Sequence, residues 1–468
     1  MKSQDDTIAA IITPIGEGGI SVLRLSGSRA IEIAGLGFHG KQPLAVAESH
    51  TVHYGTYKNS EGELLDEVLA TVFKNPHSYT GEDTVEISCH GSILVTQKIL
   101  ESLIQFGARM AEPGEFTKRA FLNGKMDLTQ AEAVADLIKT SSDQSHKASL
   151  LQLKGSTSKA IHSIKDKLLN ICSLVELELD FSEEGLQFIE RKEIENRIQS
   201  AIDEINSLIS SYNQGRVIRD GVKVVIYGKP NVGKSSLMNA LLDQERAIVT
   251  HISGTTRDTI EESIHINGIL YRLVDTAGIR DTDDIIEQEG INRTRLEIQE
   301  ADVIIHLLDA STINLNEFNN EQESLIKLTG KDKQLLIVLN KIDLVPGGID
   351  HLLTESVASN SYQVPIGISA KKRIGLDLLK NTLHSLTVNN ELATQEGTVT
   401  ITNLRHKDLL VTTCTALLNS LQSVRDSMSG EFIASDVRTA LNSLGEITGE
   451  VTTDDILNNI FANFCIGK

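Results

Sequence analysis

The sequence predicts a multidomain α/β protein: an α+β N-terminal domain, a helical bundle, and a phosphate-loop α/β domain inserted into the bundle. Three observations carry that prediction. Short β-type runs broken by Gly and Pro fill residues 1–118. Apolar residues at helical spacing stand on both sides of the middle of the chain. Between them, Gly228-Lys229-Pro230-Asn231-Val232-Gly233-Lys234-Ser235 follows the apolar run Val222–Tyr227 and leads into Ser236-Leu237-Met238-Asn239-Ala240-Leu241-Leu242, the strand, Gly-rich loop and helix order of a phosphate-binding loop.

The N-terminal runs are Ile8–Ile12, Ile20–Leu25, Val52–Tyr57, Val68–Phe73 and Val85–Ser88, with a helix expected over Ile93–Phe106. Arg24 at a strand end, Glu86 within a strand and Lys125 beyond the loop Pro113-Gly114-Glu115-Phe116-Thr117 are conspicuous polar residues. By spacing alone they read as surface or ion-paired side chains.

From Thr129 the period changes. Thr129-Gln130-Ala131-Glu132 reads as a capping box, with Ala131, Val134, Ala135 and Ile138 on one face behind it. Ile161, Ile164, Leu168, Ile171 and Val175 then repeat at helical spacing, as do Ile194, Ile198, Ile202, Ile205 and Ile209. Such seams need partner helices. Beyond the phosphate-loop segment, Leu410, Cys414, Leu417, Leu421, Val424 and Met428 form another stripe, and Ile433, Val437, Leu441 and Leu444 a further one ending at Gly445. A last helix is expected over Asp454–Phe464, before Cys465-Ile466-Gly467-Lys468. The economical architecture has domains at 1–118, 119–216, 217–384 and 385–468, with the second and fourth forming one bundle.

In the inserted domain the glycines let backbone N–H groups close on phosphate oxygens, Lys234 reaches the β and γ phosphates, and Ser235 offers a hydroxyl to magnesium. The strand Ile269–Val274 delivers Asp275-Thr276-Ala277-Gly278, an acid for magnesium and a glycine N–H for the γ phosphate. Leu335–Leu339 delivers Asn340-Lys341-Ile342-Asp343, whose Asp343 can accept both N–H groups on the edge of guanine. Ser369-Ala370-Lys371, after the run Val364–Ile368, can close the base pocket. These elements in this order describe a Ras-like P-loop GTPase domain. The residue after Asp275-x-x-Gly278 is Ile279, which cannot orient a water, and the acidic stretch Asp281–Glu289 supplies several candidates for that task. The loop Thr250-His251-Ile252-Ser253-Gly254-Thr255-Thr256-Arg257-Asp258 is either a plain Thr/Gly loop or one whose Thr256 completes a magnesium shell and whose carbonyls hold a second, monovalent cation.

Composition bounds the remaining classes. The chain has 468 residues, a formal charge of −20, no Trp and an aromatic content of 4%. No segment carries a net positive charge, so any RNA binding relies on local clusters and is salt-dependent. Four scattered cysteines, Cys89, Cys172, Cys414 and Cys465, argue for a reducing compartment and against a disulfide framework. Met1–Ala10 has no long apolar core, and no run is long enough for a membrane span, so a cytoplasmic protein is expected.

With these residues in view the chain resembles the MnmE (TrmE) family of tRNA-modification GTPases over its whole length. The resemblance rests on the Gly228–Ser235 loop, Gly254-Thr255-Thr256-Arg257-Asp258, Asp275-Thr276-Ala277-Gly278, the run from Pro113 to Lys125, and the terminal Cys465-Ile466-Gly467-Lys468. It implies an N-terminal domain that dimerises and binds a 5-formyl-tetrahydrofolate-type folate through Arg24, Glu86, Lys125 and Lys468. It implies potassium at Asn231, Thr250, Ile252 and Thr255, magnesium at Ser235 and Thr256, and Glu287 as the residue that positions water. It also implies a homodimer that joins an MnmG (GidA)-type flavoprotein in a heterotetramer, and a modification at carbon five of the wobble uridine of certain tRNAs. Two rival readings are an Era-like RNA-binding switch, which would need a basic appendage, and a folate-dependent one-carbon transferase in which GTP is only regulatory.

Overall fold

The computed structural model describes residues 6–180, 190–245, 261–275, 296–312, 333–345, 365–387 and 399–468. The chain divides into two compact units, one of Met1–Ile138, Leu151–Glu204 and Leu409–Lys468, the other of Lys139–Leu150 and Ile205–Asp408.

The first unit contains a seven-stranded sheet, β1 (Ile8–Ile11), β2 (Gly18–Ser26), β3 (Phe38–Gly40), β4 (Thr51–Lys58), β5 (Leu64–Phe73), β6 (Thr84–Gly91) and β7 (Arg109–Met110), in the order β3-β4-β5-β6-β2-β1-β7. Its pairs are antiparallel except β1 with β7. Alternation along the strands turns Leu23, Leu25, Val68, Ala70, Val72, Val85 and Ile87 into a core shared with Ile33 and Ala34 of α1 (Ala30–Gly37) and Ile99 and Leu103 of α2 (Ile93–Gln105). Each Val, Leu or Ile among them contributes about 1.5–3 kcal/mol by leaving water.

Next come α3 (Glu115–Leu122) and α4 (Leu128–Lys139). The expected capping box at Thr129 lies two residues earlier. Asp127 accepts from the Gln130 N–H at 3.0 Å, and Gln130 Oε1 accepts from the Asp127 N–H at 3.0 Å. Thr129 is buried and donates its hydroxyl to Asp127 at 2.7 Å. Asp wins because its carboxylate takes the orphan amide and the hydroxyl together.

The next helices along the chain are α5 (Asp143–Leu153), α6 (Ser156–Asp180) and α7 (Arg191–Asp220). The seam from Ile161 to Val175 on α6 is buried, as are Ile194, Ile198, Ile202 and Ile205 of α7, while Ile209 is half-buried.

The second unit holds a six-stranded sheet made of β8 (Val222–Tyr227), β9 (Glu261–Ile266), β10 (Ile269–Asp275), β11 (Val303–Asp309), β12 (Gln334–Asn340) and β13 (Ile366–Gly367), ordered β13-β12-β11-β8-β10-β9. All its pairs are parallel except β9 with β10. The helices α8 (Lys234–Glu245) and α9 (Leu376–Thr387) give Leu237, Leu241, Leu379 and Leu383 to its core.

The chain ends with α10 (Leu404–Arg425), α11 (Gly430–Thr448) and α12 (Asp454–Ala462). Met428 lies beyond the stripe it was expected to finish. The stop expected at Gly445 falls at Gly449, whose φ of 87° makes the left-handed C-cap. Gly445 instead accepts on its carbonyl from the N–H groups of Gly449, Glu450 and Val451, the way a helix end satisfies orphan donors and acceptors. The last helix stops at Ala462 rather than Phe464.

Candidate functional site

The parallel strands bring their carboxyl ends to one edge of the sheet, where α/β sheets place ligands. At that edge β8 passes into Gly228, β10 ends on Asp275, β11 on Asp309 and β12 on Asn340. The first turn is tight for a stated reason. A Cβ on Gly228 would lie 2.4 Å from the Leu307 carbonyl oxygen, and one on Gly233, at φ 101°, would lie 2.4 Å from Asn340 Nδ2. Asn231 sits at φ 64°, a conformation that asparagine tolerates better than most residues. Val232 is buried beneath the loop.

Lys234, at the first turn of α8, is buried and donates Nζ to the carbonyls of Gly228 (2.8 Å) and Lys229 (3.0 Å). Its ammonium is therefore held over the loop. Ser235 donates its hydroxyl to Asp275 Oδ2 at 3.2 Å, and Asp275 is buried. Two hard oxygen donors from different elements meet there, the chemistry a magnesium ion requires. Ser236 is exposed at the next position.

Asn340 joins the phosphate side to the base side. Its Nδ2 donates to the Val232 carbonyl (2.8 Å) while Oδ1 accepts from the Ala370 N–H (3.0 Å), and the residue is buried. Lys341, at φ 65°, donates to the Asn231 carbonyl at 2.8 Å. Asp343 lies in a short 3-10 turn, Ile342–Leu344, and accepts from the Ser369 hydroxyl at 2.6 Å. That bond, outweighing partial desolvation, holds the Asp343 carboxyl below its ordinary range. Ser369 is buried and paired both ways with Ile374, and Lys371 is exposed. The structure thus brings residues 231–236, Asp275, 340–343 and 369–370 to one edge.

Thr250, His251, Ile252, Ser253, Gly254, Thr255, Thr256, Thr276, Ala277, Gly278, Ile279 and Glu287 lie outside the described residues. Sequence reasoning also passed over β11. Its run Val303-Ile304-Ile305-His306-Leu307-Leu308, apolar but for the buried His306, is the signal that marks a central parallel strand.

In the other unit, Arg24 and Glu86 face each other across β2 and β6. Arg24 Nε and Nη2 reach Glu86 Oε1 at 2.9 and 2.7 Å, and the guanidinium lies 5.1 Å from the Tyr79 ring and 5.7 Å from that of Phe116. The C-terminus is tied to the same place. Phe116 N–H donates to the Lys468 carbonyl (3.2 Å) and Gly114 N–H to that of Cys465 (3.4 Å). Gly467, at φ 95°, admits no side chain, since a Cβ would lie 2.5 Å from the Ile11 carbonyl oxygen. Burial first, then the Arg24 charge, pushes the Lys468 ammonium below its ordinary range, with Glu86 pulling the other way. Lys125 is exposed and donates to the Pro76 carbonyl at 3.0 Å, in the loop that carries Tyr79. Cys465 is a free, exposed thiol.

Two family models match this chain. The model described as "GTP-binding protein TrmE N-terminus" matches residues 7–125, and that described as "MnmE helical domain" matches residues 128–465. The tRNA modification GTPase MnmE of Christiangramia forsetii is 44% identical over 474 residues, covering 99% of either chain. That of Cytophaga hutchinsonii is 45% identical over 468 residues, 100% of this chain and 99% of its own. A solved structure of an Era variant from Aquifex aeolicus bound to GDP.AlF4- is 28% identical, covering 42% of this chain and 67% of that one, with a TM-score of 0.30. Identity at this level along nearly the full length of both chains establishes kinship, and the chain belongs to the family of MnmE tRNA modification GTPases, a GTP hydrolase by that descent.

Proposed function

We propose that the chain is a potassium-activated GTPase of the cytoplasm that acts as a homodimer with an MnmG-type flavoprotein to add a carboxymethylaminomethyl or aminomethyl group at carbon five of the tRNA wobble uridine. The observation that supports the nucleotide chemistry most directly is the meeting of Ser235 with Asp275, beside Lys234 and across from Asn340 and Asp343. Lys234 meets the β and γ phosphates, the loop amides from Asn231 to Ser236 cradle them, and Asp343 accepts the paired N–H groups of guanine. Ser235, with Thr256, would hold magnesium, and Asn231, with backbone groups of Thr250, Ile252 and Thr255, would hold potassium. Such cations supply positive charge where phosphoryl transfer develops negative charge. Ile279 cannot hydrogen-bond a water, so Glu287 is assigned the attacking water's orientation.

Arg24, Glu86 and Lys468, with Lys125, are proposed to hold a 5-formyl-tetrahydrofolate-type folate. The donor set fits: cationic groups suit the carboxylates of a folate, and Glu86 suits its ring N–H groups. Among the described residues, no helix is long and apolar enough to cross a membrane.

Two measurements test the proposal. GTP turnover by the purified protein is expected to be at least about tenfold faster in potassium than in sodium, and equal turnover removes the monovalent ion from the mechanism. Mass spectrometry of tRNA from cells lacking the protein is expected to show unmodified wobble uridine, and normal modification rejects the pathway.

A further inference from the structure

The nucleotide-site geometry leaves one carboxylate without a role. Asp309 closes β11, directly beside Asn340 at the end of β12. A negative charge at the edge that receives a triphosphate repels the ligand unless it is neutralised. Both of its oxygens are committed. Oδ1 accepts from the N–H (3.0 Å) and the hydroxyl (2.6 Å) of Ser311, and Oδ2 accepts from Lys341 Nζ at 2.6 Å. The same ammonium donates to the Asn231 carbonyl. Asp309, Lys341 and Asn231 thus form a bridge from β11, through the base motif, to the phosphate loop. Burial works against the Asp309 carboxylate, and the Lys341 and Ser311 bonds outweigh it, holding the carboxyl below its ordinary range.

A lysine stem is costly to order, because it gives up many rotamers. Fixed at its tip by two acceptors, Lys341 has lost that freedom before a base arrives, the condition for preorganised binding. A neutral acceptor would bond the ammonium too, but a carboxylate adds the attraction of opposite charges to that bond.

We propose that Asp309 is a positioning residue for guanine-nucleotide retention: it holds Lys341 against the phosphate loop and thereby slows release of the bound nucleotide. The inference rests on the base pocket proposed above.

Release of fluorescently labelled GDP from the full-length protein, followed by stopped flow, tests it. Asp309→Asn, close to isosteric, is expected to speed release about tenfold, and Lys341→Met at least as much. In a Lys341→Met background, Asp309→Asn is expected to add less than about twofold, because the partner through which it acts is gone. In steady state, the larger part of the Asp309→Asn loss falls on KM rather than kcat. Release unchanged in Asp309→Asn, or effects that multiply in the double variant, overturns the proposal. If Asn at this position prevents folding, Ser311→Ala gives the second reading: it removes one of the bonds that aim the carboxylate, and is expected to speed release about twofold with Lys341 present and not without it. Asp343→Asn serves as control. If it leaves GDP release unchanged, the base-pocket reading itself fails; if it speeds release while Asp309→Asn does not, only the present inference falls.

Discussion

The nucleotide site and the Arg24–Glu86–Lys468 cluster are built in opposite ways. In the first, each contributing stretch is short and contiguous, and each follows a strand of one parallel sheet, so the strand ends deliver Gly228, Asp275, Asp309 and Asn340 side by side. In the second, an arginine and a glutamate meet through the register of β2 with β6, and the lysine arrives from the last residue of the chain. Local geometry writes the first site into the sequence as motifs. The second exists only through tertiary packing, and its residues carry no spacing that could announce them.

The second site therefore depends on structure distributed around it, and that difference can be tested. Arg119 is buried on α3 and reaches Asp6 (2.5 Å), Glu82 (3.2 Å) and Glu115 (3.1 Å). It ties the start of β1, the loop carrying Tyr79, and the helix carrying Phe116 into one unit. Arg119→Met should cost about 1–3 kcal/mol of stability, since a buried guanidinium gives up its bonds to half-buried carboxylates that keep only Arg109 and Ser26. Chemical denaturation of the N-terminal unit's signal measures this, and a cost below about 1 kcal/mol would show that the scaffold does not rely on the network.

The same network gives a pH dependence. Burial raises the pKa values of Asp6 and Glu115, but hydrogen bonds from Arg109 and Arg119 outweigh it, so both lie below their ordinary values of 3.8 and 4.5. A carboxylate whose folded value is depressed stabilises the fold above its unfolded value and loses that stabilisation as pH falls through the folded one. Stability should therefore fall as pH drops below about 4.5, and Arg119→Met should flatten that slope. A slope equal to that of the unmodified protein would detach these carboxylates from Arg119.

A smaller effect sharpens the contrast at the ligand itself. Lys468→Ala should weaken 5-formyl-tetrahydrofolate binding about tenfold by calorimetry, the loss of one charge-assisted contact. Undiminished affinity would take Lys468 out of the proposed folate site.

The same division explains what was legible in advance. The strands at residues 8–11, 18–26, 51–58 and 64–73 follow β-branched and aromatic runs, so their existence is visible although their ends shift by up to four residues. The seams of α6 and α7 are visible because burial repeats at helical spacing. The box at Asp127 and the helix end at Gly449 were missed because neighbouring residues offered the same chemistry, and tertiary contacts chose between them. A Cβ on Gly449 would lie 2.7 Å from the Phe121 ring, a constraint that no local window contains. Within the nucleotide site, the motifs were legible and Asp309 was not. Its importance comes from facing Lys341, 32 residues later, across a strand pair.

Asp343, held by the Ser369 hydroxyl next to the Ala370 N–H that Asn340 fixes, is assigned the selection of guanine. Comparing GTP and xanthosine triphosphate turnover for the unmodified protein and for Asp343→Asn tests it most directly. The account predicts that Asp343→Asn raises the KM for GTP by about a hundredfold or more while improving the use of xanthosine triphosphate. Undiminished use of GTP by that variant would contradict it.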